Sequence, residues 1–306
     1  IARAAKGKDK VAICGYHGWH DWYLATNLKN ENGLDTHLLS GLKTVGVPKG
    51  LQGSVIPFKY NDISELQEIV QNHDLAAIKM EVERNSPPEE DFLNSVRKIC
   101  DENKILLIFD ECTSGFREVL GGHHLKYNVF PDISIFGKAL GNGYAITAVI
   151  GKAEVMDFSQ DTFISSTFWT ERIGPTAALA TLNEMEKLRS YEKITYLGNY
   201  MRQGWQRIFK ENNMKVDFQG LSALSSFTLD KKINNLIKTI ISQEMLKVGY
   251  IANNIFYAST AHSEIIIDSY LEELEILIKK LSKLSLKEIR DIIEGEVCHT
   301  GFQRLN

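Results

Sequence analysis

At 306 residues, 43% hydrophobic and 24% charged, the chain can bury a large core and has room for one large domain and a smaller one. A formal net charge of -4, with no stretch interleaving lysine or arginine with aromatics, argues against a nucleic-acid surface. Cys14, Cys100, Cys112 and Cys298 are too scattered for a zinc site or a disulfide framework, which fits a reducing cytoplasm; no run reaches the roughly 18 apolar residues of a membrane span.

"IARAA" (1–5) reads as the last turns of a helix with neither initiator Met nor cap before it, so the chain is expected to lack its N-terminal part. "KVAICG" (10–15) and "GSVIPFKYND" (53–62) contain strands, and Asp62 is placed to cap a helix carrying Ile63, Leu66, Ile69 and Val70. "LAAIKME" (75–81) is a strand ending on a carboxylate. "EEDFLNSVRKICDEN" (89–103) repeats apolar residues at helical spacing, and the wholly apolar "KILLIFDE" (104–111) predicts a strand covered on both faces. "DISIFGK" (132–138) and "YAITAVIG" (144–151) follow, then helices over about 175–189 and 196–212. From about residue 213 two short strands precede helices around 236–248 and 268–282. The alternation predicts an α/β fold with a mostly parallel sheet and helices on both faces, residues 1–200 forming the large domain and 201–306 a smaller α/β one.

Ligands of such sheets gather outside the carboxyl ends of the strands, where Glu81, Asp110 and Lys138 stand. A lysine desolvated in a pocket keeps more of its neutral amine, the form that attacks a carbonyl. An aspartate in the same pocket keeps a pyridine nitrogen protonated, which makes the ring an electron sink. Taken singly, each residue reads more simply as a solvated charge at a strand-to-loop turn. "YHGWHDW" holds His17, His20 and Asp21, but its glycine favours a loop over a metal-binding helix, and no metal is expected. The adjacent histidines of "GGHHLKY" (121–127) are expected in a surface loop, and "LEELEILIKKLSKLSLKEIR" (271–290) in an ordinary amphipathic helix.

"GYHG" (15–18), "IFDECTSGFR" (108–117) and "FGKALGNGYAITAVIG" (136–151), in this order, resemble the class III aminotransferases, fold-type I enzymes that use pyridoxal 5'-phosphate (PLP) and include glutamate-1-semialdehyde aminomutase. The resemblance implies that Lys138 holds the cofactor as an internal aldimine and that Asp110 partners its ring nitrogen. It also implies that Tyr16, in the Tyr16-His17-Gly18 motif, stacks on the ring, and that Cys112 covers the opposite face where many members have valine. Glu81 matches a Glu-Pro position near the cofactor, although Val82 stands where proline is usual. "ISSTFWTERIGP" (164–175) matches a loop that binds the cofactor phosphate across a dimer interface, through Thr167 or Thr170. The family's other phosphate loop, at a helix N-terminus, would lie before residue 1. The tail "GEVCHTGFQRLN", with His299 and Arg304, resembles that of one subgroup of these proteins.

The implied activity is transfer of an amino group from a small-molecule donor to a carbonyl acceptor by a cytoplasmic homodimer. "EVERN", "STFWTERIGP" and the tail lean toward enzymes of surface-sugar biosynthesis. The alternatives are a glutamate-1-semialdehyde 2,1-aminomutase, which uses the same residues, a decarboxylase or racemase of the same fold, and a non-catalytic scaffold. Retention of both Lys138 and Asp110 argues against the scaffold.

Overall fold

The structure is a computed structural model that describes residues 1–35, 37 and 40–299. Arg304 therefore lies outside the described residues. The chain forms two compact units, Ile1–Glu184 and a second from Met185 on.

The first unit runs α1 (Ala2–Lys6), β1 (Lys10–Cys14), α2 (Asp21–Leu24), β2 (Val55–Pro57), α3 (Ile63–Asn72), β3 (Leu75–Met80), α4 (Phe92–Glu102), β4 (Leu106–Asp110), β5 (Ile133–Phe136), β6 (Ala148–Gly151) and α5 (Ala153–Met156). The six strands lie in the order β2-β1-β3-β4-β5-β6. All pairs are parallel except β5 with β6. Both faces of the sheet are covered, which is why β4 reads as an unbroken apolar run: Leu107 and Phe109 join a core with Ile78, Met80 and Val96, while Leu106 and Ile108 join one with Ile13, Ala77 and Ile133. α3 begins as expected, with the Asp62 side chain accepting from the Glu65 amide at 2.9 Å.

α6 (Ile173–Leu188) carries the chain into the second unit, made of α7 (Ser190–Glu211), β7 (Asp217–Gln219), β8 (Leu224–Thr228), α8 (Asn234–Lys247), β9 (Ile255–Tyr257), α9 (Glu264–Leu281) and α10 (Leu286–Asp291). β7, β8 and β9 form an antiparallel sheet. The stripe Ile194, Leu197, Met201, Trp205 and Ile208 binds α7 into this unit's core with Phe227, Ile240 and Leu274. The division thus falls ahead of α7, whereas the apolar pattern by itself suggested a division near residue 200.

Parallel pairing of β1, β3, β4 and β5 brings four carboxyl ends to one edge of the first unit's sheet. The turns that leave these strands carry most of the residues singled out above.

Candidate active site

Asp110 is the last residue of β4, paired with Ile135 on β5, and Lys138 follows β5 by two residues. Lys138 has φ of +43°, the left-handed region that costs an L side chain energy, and its carbonyl accepts from the Asn142 amide at 3.0 Å. Its Nζ donates to Thr113 Oγ1 at 2.8 Å. The amine is thereby turned toward the loop that leaves β4.

Cys112 sits between the two groups. Its backbone N–H donates to Asp110 Oδ1 at 3.2 Å, and its Sγ would stand 3.3 Å from a Cβ placed on Gly137. Burial, with the Asp110 carboxylate next, pushes the Cys112 thiol up to about 11, so it packs as a small apolar group rather than a nucleophile. Gly141 is needed for closeness as well: a Cβ there would lie 2.1 Å from the Tyr144 carbonyl oxygen. One expectation is corrected. Lys138 is exposed, its turn standing beyond the strand end.

Asp110, by contrast, is buried with two basic neighbours on one oxygen. Its Oδ2 lies 3.0 Å from His17 Nδ1 and 3.1 Å from Lys79 Nζ. Burial alone would raise its carboxyl; the His17 hydrogen bond and the Lys79 charge outweigh that and hold it well below the usual carboxylate range. His17 has acceptors on both sides, the Cys14 carbonyl oxygen being 3.2 Å from Nε2, an arrangement that favours the imidazolium. Burial works the other way and prevails: the imidazole is pulled down to about 4, with the Lys79 charge adding to the fall.

At the end of β1, Gly15 has φ of +107° and faces Glu81 Oε2 so closely that a Cβ would stand 2.6 Å from it. Glu81 Oε2 accepts from the Tyr16 amide at 3.0 Å, and Oε1 meets Arg84 Nη1 at 2.6 Å. Burial nonetheless leaves the Glu81 carboxyl above its ordinary range. The Arg84 guanidinium lies 5.7 Å from the Tyr16 ring centroid, and that ring also meets Trp19 and Tyr23. Gly18 follows with φ of +102°. Where proline was expected, Val82 is buried and its carbonyl accepts from the Tyr60 hydroxyl.

Tyr16, His17, Gly18, Glu81, Asp110, Cys112 and Lys138 therefore stand on neighbouring strand ends. Thr167 and Thr170 do not join them in this unit; both are exposed in the loop before α6. That loop is tied down at its end, where Glu171 accepts from the Gly174 amide at 3.0 Å and Gly174 packs against Ala145. The histidine pair is a second correction. His123 and His124 are buried, not in a surface loop: His123 Nε2 lies 3.1 Å from Glu83 Oε2, and His124 Nδ1 lies 2.8 Å from Glu111 Oε1. Buried carboxylates require such partners, and these come from 40 and 13 residues away. No cluster of three metal-ligating side chains occurs among the described residues, and no helix among them is long and apolar enough to cross a membrane.

Sequence reasoning missed Lys79, Thr113 and Arg84. Lys79 carried a signal, since a charge inside an otherwise apolar, covered strand must find a partner.

The profile of the family described as Aminotransferase class-III matches residues 14–260. The chain is 31% identical over 305 residues to the 3-aminobutyryl-CoA aminotransferase of Cloacimonas acidaminovorans, covering 96% of this chain and 68% of that protein. It is also 31% identical to the glutamate-1-semialdehyde 2,1-aminomutase of Ignicoccus hospitalis, over 92% of this chain and 71% of that one. Among solved structures, the PLP internal aldimine form of the FumI protein of Sphingopyxis sp. MTA144 superposes with a TM-score of 0.81 at 22% identity, covering 94% of this chain and 69% of that one. An omega-transaminase from Sphaerobacter thermophilus gives 0.78 at 22% identity, with 92% and 70% covered. Two strand-end groups of opposite charge, the fold of known transaminases and a match over most of its length agree: the chain belongs to the class-III aminotransferase family.

Proposed function

We propose that this protein is a PLP-dependent aminotransferase in which Lys138 and Asp110 bracket the cofactor. The donor set fits that group: an amine beyond one strand end, a buried ionised carboxylate on the next, and a gap beside Gly137 that a Cβ would narrow against Cys112. Lys138 would hold the aldehyde carbon and Asp110 would accept from the ring nitrogen. His17 and the Cys112 amide would keep Asp110 oriented. Tyr16 and Cys112 would line the two ring faces, with Gly18 and Glu81 shaping the turn beside them, and Thr167 or Thr170 would bind phosphate across a homodimer. When bound, the ring draws away the electron pair left at the substrate Cα. Once the substrate amine has taken its place on the aldehyde carbon, Lys138 would be free to take the proton from Cα and return it one step later, and the Thr113 hydroxyl, already in contact with its Nζ, would keep the amine directed.

The observation that carries this reading is that Lys138 and Asp110 stand at the ends of the paired strands β5 and β4, with the Cys112 amide on Asp110 and Lys138 Nζ on Thr113, the next residue. Borohydride treatment with PLP present, followed by peptide mass spectrometry, should place the reduced cofactor on Lys138; an unmodified Lys138 refutes the reading. We further propose a cytoplasmic location and a role in surface-sugar biosynthesis, supported by the resemblance of "EVERN" and "STFWTERIGP" to enzymes of that kind.

The relatives named as aminomutases favour a second reading, in which one substrate is both donor and acceptor. Amino donors that convert bound PLP to its amine form support transfer. Turnover of glutamate-1-semialdehyde with no added donor supports the aminomutase.

A further inference from the structure

Lys79 lies on β3 in register with Ile13 of β1 and Ile108 of β4. Side chains alternate along a strand, so Lys79 shares the face of Ala77, Ile108 and Asp110, and its stem runs along that face to the end of β4. Its side chain is 13% exposed. The Nζ is also 5.7 Å from the Trp22 ring centroid.

Holding an ammonium there is costly, and Asp110 does not need it for hydrogen bonding. His17 already serves Oδ2 and the Cys112 amide serves Oδ1. Lys79 supplies a third donor and, unlike the neutral His17, a full positive charge. The two-fold capacity of Oδ1 still leaves one place for an incoming N–H. Glu81, at the end of β3, also feels this carboxylate, and Lys138 acts on Cys112 from the far side.

Resting on the cofactor reading above, we propose that Lys79 is a positioning residue for Asp110: it fixes Oδ2 together with His17 and offsets the carboxylate's charge, so that Asp110 holds a protonated ring nitrogen less strongly than a lone aspartate would. An opposite charge at this distance moves a neighbour's proton affinity by about 1–3 pH units. Lys79 thus sets how electron-hungry the bound ring becomes.

The test uses the whole protein with Lys79→Met, which keeps the stem and removes the charge, and Lys79→Arg, which keeps the charge. In cofactor-free protein, an NMR titration of His17, assigned with His17→Gln, should show its pKa raised by about one unit in Lys79→Met and unmoved in Lys79→Arg. With PLP labelled with 15N in the ring, the pH at which the ring nitrogen loses its proton should rise by about a unit or more in Lys79→Met. Should Lys79→Met fold poorly, Lys79→Gln gives the same two readings. An unmoved His17 titration overturns the role of Lys79, whatever the cofactor does. A shifted His17 with an unmoved ring nitrogen overturns the effect on the ring. Wild-type protein that fails to bind PLP refutes the cofactor reading instead, a result the cofactor-free titration does not depend on.

Discussion

Replacing Asp110 by Asn removes one charge from a buried cluster and leaves the rest in place. The Asp110 side chain is 9% exposed and that of Lys79 13%, so neither is screened by water as a surface pair would be. An isosteric amide keeps one acceptor oxygen, so it can accept from His17 or from the Cys112 amide but not from both, and it leaves the Lys79 ammonium with no counter-charge on its own face. Breaking a buried pair from one side costs about 3–5 kcal/mol. The residual exposure of Lys79 and its contact with Trp22 place the expectation at the lower end, about 3 kcal/mol. In urea, with a slope of about 2–3 kcal/mol/M for a unit of this size, the midpoint should fall by roughly 1–1.5 M. Trp19, Trp22 and Trp169 lie in the first unit and Trp205 in the second, so variants that keep only Trp22 or only Trp205 hold the two transitions apart. Measurements belong in PLP-free protein at neutral pH. The double variant Asp110→Asn/Lys79→Met, with neither charge, should recover at least half of the loss, because an apolar replacement of a buried pair is close to neutral. An Asp110→Asn midpoint within 0.2 M or so of wild type, or a double variant no more stable than the single one, would refute the electrostatic argument.

The His17 imidazole, pulled down to about 4 from an ordinary 6.5, binds fewer protons folded than unfolded between those values. Stability should therefore fall as pH drops from 6.5 toward 4, by about 3 kcal/mol from this group. The raised Glu81 works in the opposite direction, so the quantity to measure is the difference between wild type and His17→Gln across that range, which should shrink on acidification. An equal pH dependence in both proteins sinks the claim. Gly141→Ala sets a methyl 2.1 Å from the Tyr144 carbonyl oxygen, a backbone atom that cannot swing aside. Shifting the Lys138 turn by about an ångström should lower kcat about 100-fold with far less change in the urea midpoint, and unchanged kcat would show that the turn tolerates the displacement.

Much of the first unit was legible because its signals are local. β4 is an unbroken apolar run, Asp62 is a cap followed by a helical stripe, and Asp110 and Lys138 each close an apolar segment. What escaped depended on partners distant in the chain. His123 looked solvent-facing because Glu83 lies 40 residues earlier, and nothing near "GGHH" announces a buried carboxylate. Lys79 was hidden by the stronger signal two residues on, Glu81, which drew attention to the strand's end rather than its face. β9, three residues long, is too short for alternation to register. The exposure of Lys138 had no sequence signature at all, since only the three-dimensional path of its turn decides what covers it.

The backbone of Lys138 has a consequence for how far this protein can be made hardier. With φ at +43°, this position would suit Asn or Gly better than lysine. Swapping in either should raise the melting temperature while ending any reaction that needs the amine. Screens for thermal robustness alone would thus tend to discard this amine, and a selection that reads turnover is required to retain it.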